Sequence, residues 1–449
     1  MQELIHIQIP DNNIPERRYI LDVFFSEFYG IDYEIEETGG KDIVLKFNEK
    51  RIIIKDAFFG KFPEPLSYLK KENIPEHIVF AESKFSYEKN IPVIFGEPEI
   101  TVDENVIYCG IDIFASAFFM LTRWEEFLID EKDNHGRTPD EKQFSVINNI
   151  HERAVVNEYT ELLRNMSAYI GLNLINNKTY LPKITHDIDY FSRLNSLSKT
   201  LKALFGDILL RKQIKRAFST IKSYINIKKG REDDPYATFD FLMDLSESIG
   251  ETSTFYFIPA EKGEADFKYS ISDKKVLSTI LGIKNRGHSI GVHGAYRSYK
   301  NVKMFNEELN RFPTDFKIEE VRQHFLRFEN PTTWQIAEDL RLKTDSTLSF
   351  INHVGFRTGT CYTYSVFNIL TRKKLQLKEY SLIVMEQALR RTVSDENEFF
   401  KKIIELSDTV KKYKGTFVLL WHNSNFNVKE WENYIGVYKK IIRTLKKIN

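Results

Sequence analysis

Apolar and polar positions along the chain change rhythm near residue 180. Before that point the pattern is mixed. Short β-type runs fall at 42–47, 51–54 and 91–95, and apolar residues recur at helical spacing over about 113–128 and 157–170. A polar loop, 130–143, separates the two helical stretches. From Leu181 onward, short apolar segments at 182–184, 253–258, 288–292, 321–326, 346–350, 379–384 and 416–421 alternate with helical ones. That alternation is the signature of parallel β/α architecture, and about seven strands over roughly 250 residues suit a barrel-sized unit. The expected fold class is therefore α/β: a (β/α) barrel of about seven strands over 176–449, preceded by a smaller mixed α/β domain over 1–175.

One segment interrupts the alternation. Between about 195 and 230 a helical insert carries Lys199, Lys202, Arg211, Lys212, Lys215, Arg216, Lys222, Lys228 and Lys229, with Leu201, Phe205, Ile208, Leu209, Ile214 and Phe218 on an apolar face. Two readings stay open. The insert is a solvated helical pair packed on the barrel, or a basic amphipathic surface that meets anionic lipid or a lipid-linked glycan.

Composition narrows the function classes. With 64 basic and 64 acidic residues in 449 the formal charge is zero, so no global field recruits nucleic acid or an anionic membrane. The two cysteines, Cys109 and Cys361, cannot form a disulfide framework, which fits a reducing compartment. The start of the chain shows no basic and apolar regions of a secretory signal, and the longest apolar runs, such as 114–121, fall short of the roughly 20 residues a membrane span needs. A cytoplasmic protein is expected, with peripheral contact to the inner membrane if the basic insert meets lipid.

Candidate chemistry sits at strand ends. In Thr185-His186-Asp187-Ile188-Asp189 the two carboxylates are separated by one residue, so an extended backbone points both to one side. Turn capping by Asp explains such a pair equally well. His293 follows the strand Gly287-His288-Ser289-Ile290-Gly291-Val292 and can offer a neutral imidazole to a metal, whereas His288 belongs to its opposite end and reads as structural. Arg322, His324 and Arg327 lie within an aromatic strand, where burial without partners is costly, so they should face a polar interior. His422 ends the apolar run Phe417-Val418-Leu419-Leu420-Trp421 and suits general acid chemistry.

In order, these segments read T-H-D-x-D, G-H-x-I-G-x-H, R-Q-H-x-L-R-F, D-S-T-L, G-F-R-x-G-T and L-L-W-H-N-S. From about 181 to 449 the chain resembles the NodB-type polysaccharide deacetylases, carbohydrate esterase family four, in a branch found in bacterial surface-polysaccharide gene clusters. The N-terminal region, through Phe118-Phe119-Met120-Leu121-Thr122-Arg123-Trp124-Glu125-Glu126 and His135-Gly136-Arg137, resembles the uncharacterised domain that often precedes them. The resemblance implies a deformed (β/α) barrel and one divalent metal, usually zinc. It implies Asp187 as catalytic base, Asp189 and His293 as metal ligands, His422 as catalytic acid and Arg322 as the arginine orienting the base. The implied reaction is hydrolysis of an acetamide or acetyl ester on a carbohydrate, with lipid-linked and nucleotide-linked sugars among the candidate substrates.

One position departs from the family. A second metal histidine is expected four residues after His293, and Arg297 stands there. His324, from the next strand, is the candidate replacement, with Ser298 or a water behind it. Arg327, Asp345, Arg357, Tyr296 and Trp421 are candidates for sugar binding, with barrel salt bridges and core packing as the alternative. A glycan-binding or scaffolding protein on a degenerate barrel is the competing function, favoured by Arg297. Hydrolysis of another amide, such as a formamide, is a third.

Overall fold

The computed structural model describes residues 5–193, 225–227, 229, 231, 233–264 and 266–446. The basic insert expected at about 195–230 lies, but for 225–227 and 229, outside them.

The N-terminal region is built on a six-stranded mixed sheet. Its strands are β1 (Ile5–Pro10), β2 (Tyr33–Thr38), β3 (Ile43–Phe47), β4 (Lys50–Ile54), β7 (Gly96–Asp103) and β8 (Val106–Ile111), in the order β2-β1-β3-β4-β8-β7. A two-stranded ribbon of β5 (Val79–Ala81) and β6 (Ile91–Val93) lies between β4 and β7 in the chain. The helix Ile113–Thr122 is buried all round, which is why its sequence, IFASAFFMLT, has no polar face. It packs on its own region and on the next: Phe118 meets Phe367, and Tyr364 Oη donates to Leu121 O at 2.8 Å.

The C-terminal region carries nine strands in one curled sheet: β9 (Leu181–Ile188), β10 (Ser253–Phe257), β11 (Ser289–Gly294), β12 (Glu320–Gln323), β13 (Thr344–Asp345), β14 (Tyr364–Asn368), β15 (Lys373–Glu379), β16 (Val384–Met385) and β17 (Thr416–Leu420). Their order is β14-β15-β13-β12-β11-β10-β9-β17-β16. Every pairing is parallel except β14 with β15. The central strands are covered on both faces, hence the runs of consecutive apolar residues such as Phe417–Leu420.

The sheet departs from the barrel of about seven strands read from the sequence. It has nine strands, and its ends, β14 and β16, do not pair with each other, so it is a half-barrel. The segment 346–350 is not a strand. Asp345 Oδ1 accepts from Thr347 N at 2.7 Å and from Thr347 Oγ1 at 2.5 Å, a local turn that takes the backbone out of the ladder after two paired residues. Likewise β12 stops at Gln323, and His324–Leu326 form a tight turn in which Phe325 takes the left-handed region at φ 59°. The hairpin β14–β15 was not anticipated.

Candidate active site and metal centre

Strand β9 delivers the paired carboxylates. Asp187 lies on its last turn of pleat beside Tyr256 of β10, and Asp189 follows one step past the strand end on the same side. Two strands away, His293 on β11 pairs in register with Arg322 on β12. Gly291, two residues before His293, allows this spacing: a Cβ there would stand 2.4 Å from the Tyr256 ring.

Arg322 is fully buried and every arm of it is used. Its Nη1 donates to Asp187 Oδ1 at 2.8 Å and Thr185 Oγ1 at 2.9 Å, while Nε and Nη2 donate to Ser346 O and Ser346 Oγ, both at 2.9 Å. The Tyr256 ring lies beneath the guanidinium, 4.5 Å away. Burial would raise the Asp187 carboxyl, but the charges of Arg322, His293 and His422 together outweigh it and hold the pKa below the ordinary carboxylate value.

Asp189, His293 and His324 form a group able to hold a metal ion, one ligand atom from each lying within 4.8 Å of the others. His293 Nε2 is 3.4 Å and His324 Nε2 3.7 Å from Asp189 Oδ1. Ligands about 2.0–2.1 Å from a tetrahedral zinc stand about 3.4 Å apart, so the spacing fits. Asp189 Oδ1 is buried without a hydrogen-bond partner among the described residues, an expensive state unless something cationic meets it. The far side of the His293 imidazole is hydrogen-bonded, as metal-bound histidines require, and that of His324 faces a carboxylate. His293 Nδ1 donates to Arg322 O at 2.7 Å, and His324 Nδ1 lies 3.2 Å from Asp266 Oδ2. The donor set fits a divalent cation.

His422 completes the ring of groups from the end of β17. Its Nε2 is 3.7 Å from Asp189 Oδ2, and its Nδ1 bonds Glu386 Oε1 at 2.7 Å. Glu386 is fully buried and also accepts from His422 N and Asn425 Nδ2, so the imidazole orientation is fixed. Burial opposes a charged ring, yet the Glu386 carboxylate prevails and lifts the His422 pKa to about 10. In contrast, His186 is a structural residue. Burial drops its pKa to about 4, and its Nδ1 meets Trp421 O at 2.8 Å, tying β9 to the end of β17.

These groups line one cavity of ≈ 350 Å³. Residues 5–168 match a family of unknown function, DUF7033. No curated protein matches the chain. Among solved structures, a Mycobacterium smegmatis protein provisionally described as a polysaccharide deacetylase is similar, at 14% identity and a TM-score of 0.39, over 62% of this chain and 87% of that one. So distant a likeness carries no weight for chemistry. The site must speak through its own geometry.

Of the residues singled out from sequence, the cavity brings together Asp187, Asp189, His293, His324 and His422, with Arg322 bonded directly behind Asp187. The proposed sugar-binding set lies elsewhere. Trp421 is buried, stacks on Phe426 and donates from Nε1 to Asn425 O. Asp345 is buried under its Thr347 bonds, and burial raises its pKa to about 6. Arg357 is buried against Glu126, at 2.6 Å from Nη2 to Oε2. Arg327 lies over the Tyr296 and Tyr299 rings, 4.0 and 4.1 Å from their centroids, and donates to Tyr296 O. Tyr296 itself turns its hydroxyl to His135 Nδ1 at 3.2 Å. None of the five borders the cavity. Arg297 is exposed, and Ser298 donates to Ala295 O at 2.8 Å, so neither joins the candidate ligands.

Sequence reasoning missed Glu386 and Asp266. A glutamate directly after the apolar run Ser381-Leu382-Ile383-Val384-Met385 was a visible signal for the first. Asp266 comes from an irregular loop and offered none. It also missed His135, Arg137, Lys268 and Arg391 as cavity residues.

Proposed function

We propose that this chain is a metal-dependent hydrolase that removes an N- or O-linked acetyl group from a sugar or glycan intermediate of bacterial surface-polysaccharide synthesis. The observation that carries the reading is the convergence of Asp189, His293 and His324 on one point, flanked by Asp187 and His422. Zinc is the cation favoured by two imidazoles and one carboxylate. Once bound, it would supply Lewis-acid polarisation of an acyl oxygen and a water of lowered pKa.

The chain's own groups do the rest. Asp187, held ionised by Arg322, takes a proton from the attacking water at its free oxygen, Oδ2. A carboxylate of low pKa is a weak base, so it needs an acidified water to act on. His422, kept protonated by Glu386, gives its Nε2 proton to the departing nitrogen or oxygen. Arg137, Lys268 and Arg391 border the cavity and favour a substrate with an anionic group, as a lipid-linked or nucleotide-linked sugar carries. No helix among the described residues is long and apolar enough to cross a membrane.

Full-length protein loaded with zinc should release acetate from acetylated sugars, and Asp187→Asn should stop release while the metal stays bound. Sugar binding with neither metal nor turnover would instead favour the glycan-binding alternative that Arg297 suggested.

A further inference from the structure

The N-terminal region reaches the cavity through its polar loop. Asp133 locks that loop internally. Its Oδ1 accepts from His135 N at 2.8 Å and Arg137 N at 2.9 Å, and its Oδ2 from Arg137 Nε at 2.8 Å and Nη2 at 2.6 Å. Gly136 turns the chain at φ 75°. The guanidinium is thereby fixed, with Nη1 directed outward. That arm donates to Phe325 O at 2.7 Å. The His135 ring lies parallel to the Phe325 ring, 4.6 Å between centroids and 19° between planes.

Phe325 directly follows the candidate ligand His324, and its backbone is unusual. Phe325 and Leu326 both sit in the left-handed region, at φ 59° and 54°, which L residues keep in succession only where their surroundings impose it. Phe325 is 40% exposed, so its own burial does not impose it. The turn begins directly after His324, whose Nε2 stands 3.7 Å from Asp189 Oδ1. The Asp133–Arg137 loop grips the turn at both carbonyl and ring.

We propose that the loop of Asp133, His135 and Arg137 is a clamp that positions His324, so that the N-terminal region completes the metal centre of the C-terminal sheet. The proposal rests on the metal-centre reading above. It also accounts for a ligand drawn from a turn: a ligand on an irregular segment needs outside support.

Zinc affinity of the metal-free full chain, measured by competition with a chromophoric chelator, tests it. Metal-free proteins are first checked for folding by circular dichroism and thermal melting. His324→Ala should abolish the tight site. Arg137→Gln should weaken zinc by about 10–100-fold, the usual effect of losing a group that orients a ligand, and should alter the visible spectrum of the Co²⁺ form. His135→Ala, which leaves the Asp133–Arg137 pair intact, should weaken zinc in the same direction and serves where Arg137→Gln does not fold. Arg357→Ala, which breaks a different contact between the two regions, should leave the affinity of the folded protein unchanged. If His324→Ala binds zinc like the wild type, the metal-centre reading fails and the clamp with it. If His324→Ala loses zinc while Arg137→Gln and His135→Ala keep it, the centre stands and the clamp is overturned. Equal weakening by Arg357→Ala also overturns it, because a loosened interface would then explain the effect.

Discussion

Two clusters of buried charge can be set side by side. At the cavity, Asp187 and Arg322 pair at 2.8 Å beside Asp189, His293, His324 and His422. Where the two regions meet, Glu126 takes Arg357 and Arg123 together, and Arg123 also pairs with Glu125. Asp140 nearby accepts from Ile351 N, Asn352 N and His353 Nδ1. Asp187, Arg322, His293 and His422 are as buried as Glu126, Arg123 and Arg357, whereas Asp189 and His324 are half-buried. What differs is where the leftover valence points. Both oxygens of Glu126 are occupied by guanidinium groups, and its pKa falls to about 2 because those two charges overcome the burial that would raise it. At the cavity, Asp189 Oδ1 has no hydrogen-bond partner among the described residues, and the Nε2 atoms of His293 and His324 face it. Buried charge alone therefore does not mark chemistry. Unspent donors and acceptors aimed at one open point do.

Substitutions can break each half of that comparison. The largest effect is expected at Asp187. Asp187→Asn keeps the shape and the Arg322 neighbour but removes the proton acceptor, and a drop of about 10²–10⁴ in kcat/KM is expected, with zinc still bound one to one. Loss of zinc on that substitution would instead make Asp187 part of the metal shell. Arg357→Ala should act on the other cluster only. It strands the buried Glu126 charge with Arg123 alone and should cost about 3–5 kcal/mol of unfolding free energy, measured by urea titration. The sign with pH follows from the depressed Glu126 pKa. Its contribution is present above the unfolded value near 4.5 and is lost as pH falls toward about 2, so the mutant and wild type should converge in acid.

Much of this contrast was legible in the sequence, and the parts that were not share a physical cause. Asp187, Asp189, His293 and His422 fall at ends of regular strands, where two-residue periodicity dictates which way a side chain points. Position along the chain was enough to converge them. Arg357 has no such guide, because its direction depends on packing between elements far apart in sequence. Arg357 meets Glu126, 231 residues away. The nine-stranded half-barrel was blurred in the same way: 346–350 is apolar enough for a strand, but the Asp345–Thr347 turn overrides that preference locally. Asp266 comes from a segment with no periodicity at all.

A subtler separation concerns His422 and Glu386. Glu386→Gln keeps a hydrogen-bond acceptor near Nδ1 but removes the charge that lifts the imidazole pKa to about 10. The protonated ring is the active form of a general acid, so activity persists below its pKa and fades above it. The alkaline limb of kcat/KM should thus move to lower pH in the mutant. A cation at Asp189 lowers the pKa in both proteins, so the displacement between the two limbs is the readout. Coincident limbs would mean that His422 does not donate the proton.

The smallest effect is expected at Trp421, next to His422 in the chain yet facing the other way. Its ring stacks on Phe426, 5.7 Å between centroids and 25° between planes, and its Nε1 donates to Asn425 O at 3.0 Å. Trp421→Phe keeps an aromatic in the core and leaves the Asn425 carbonyl without its donor, which should cost about 1–3 kcal/mol of stability. KM for an acetylated sugar should not change, because the indole borders the core and not the cavity. A raised KM with stability intact would move Trp421 to the substrate side and blur the line between the packing half of the strand end and its reactive half. The expected result keeps that line between two consecutive residues: Trp421 holds β17 in the core, and that anchoring aims His422 at Asp189.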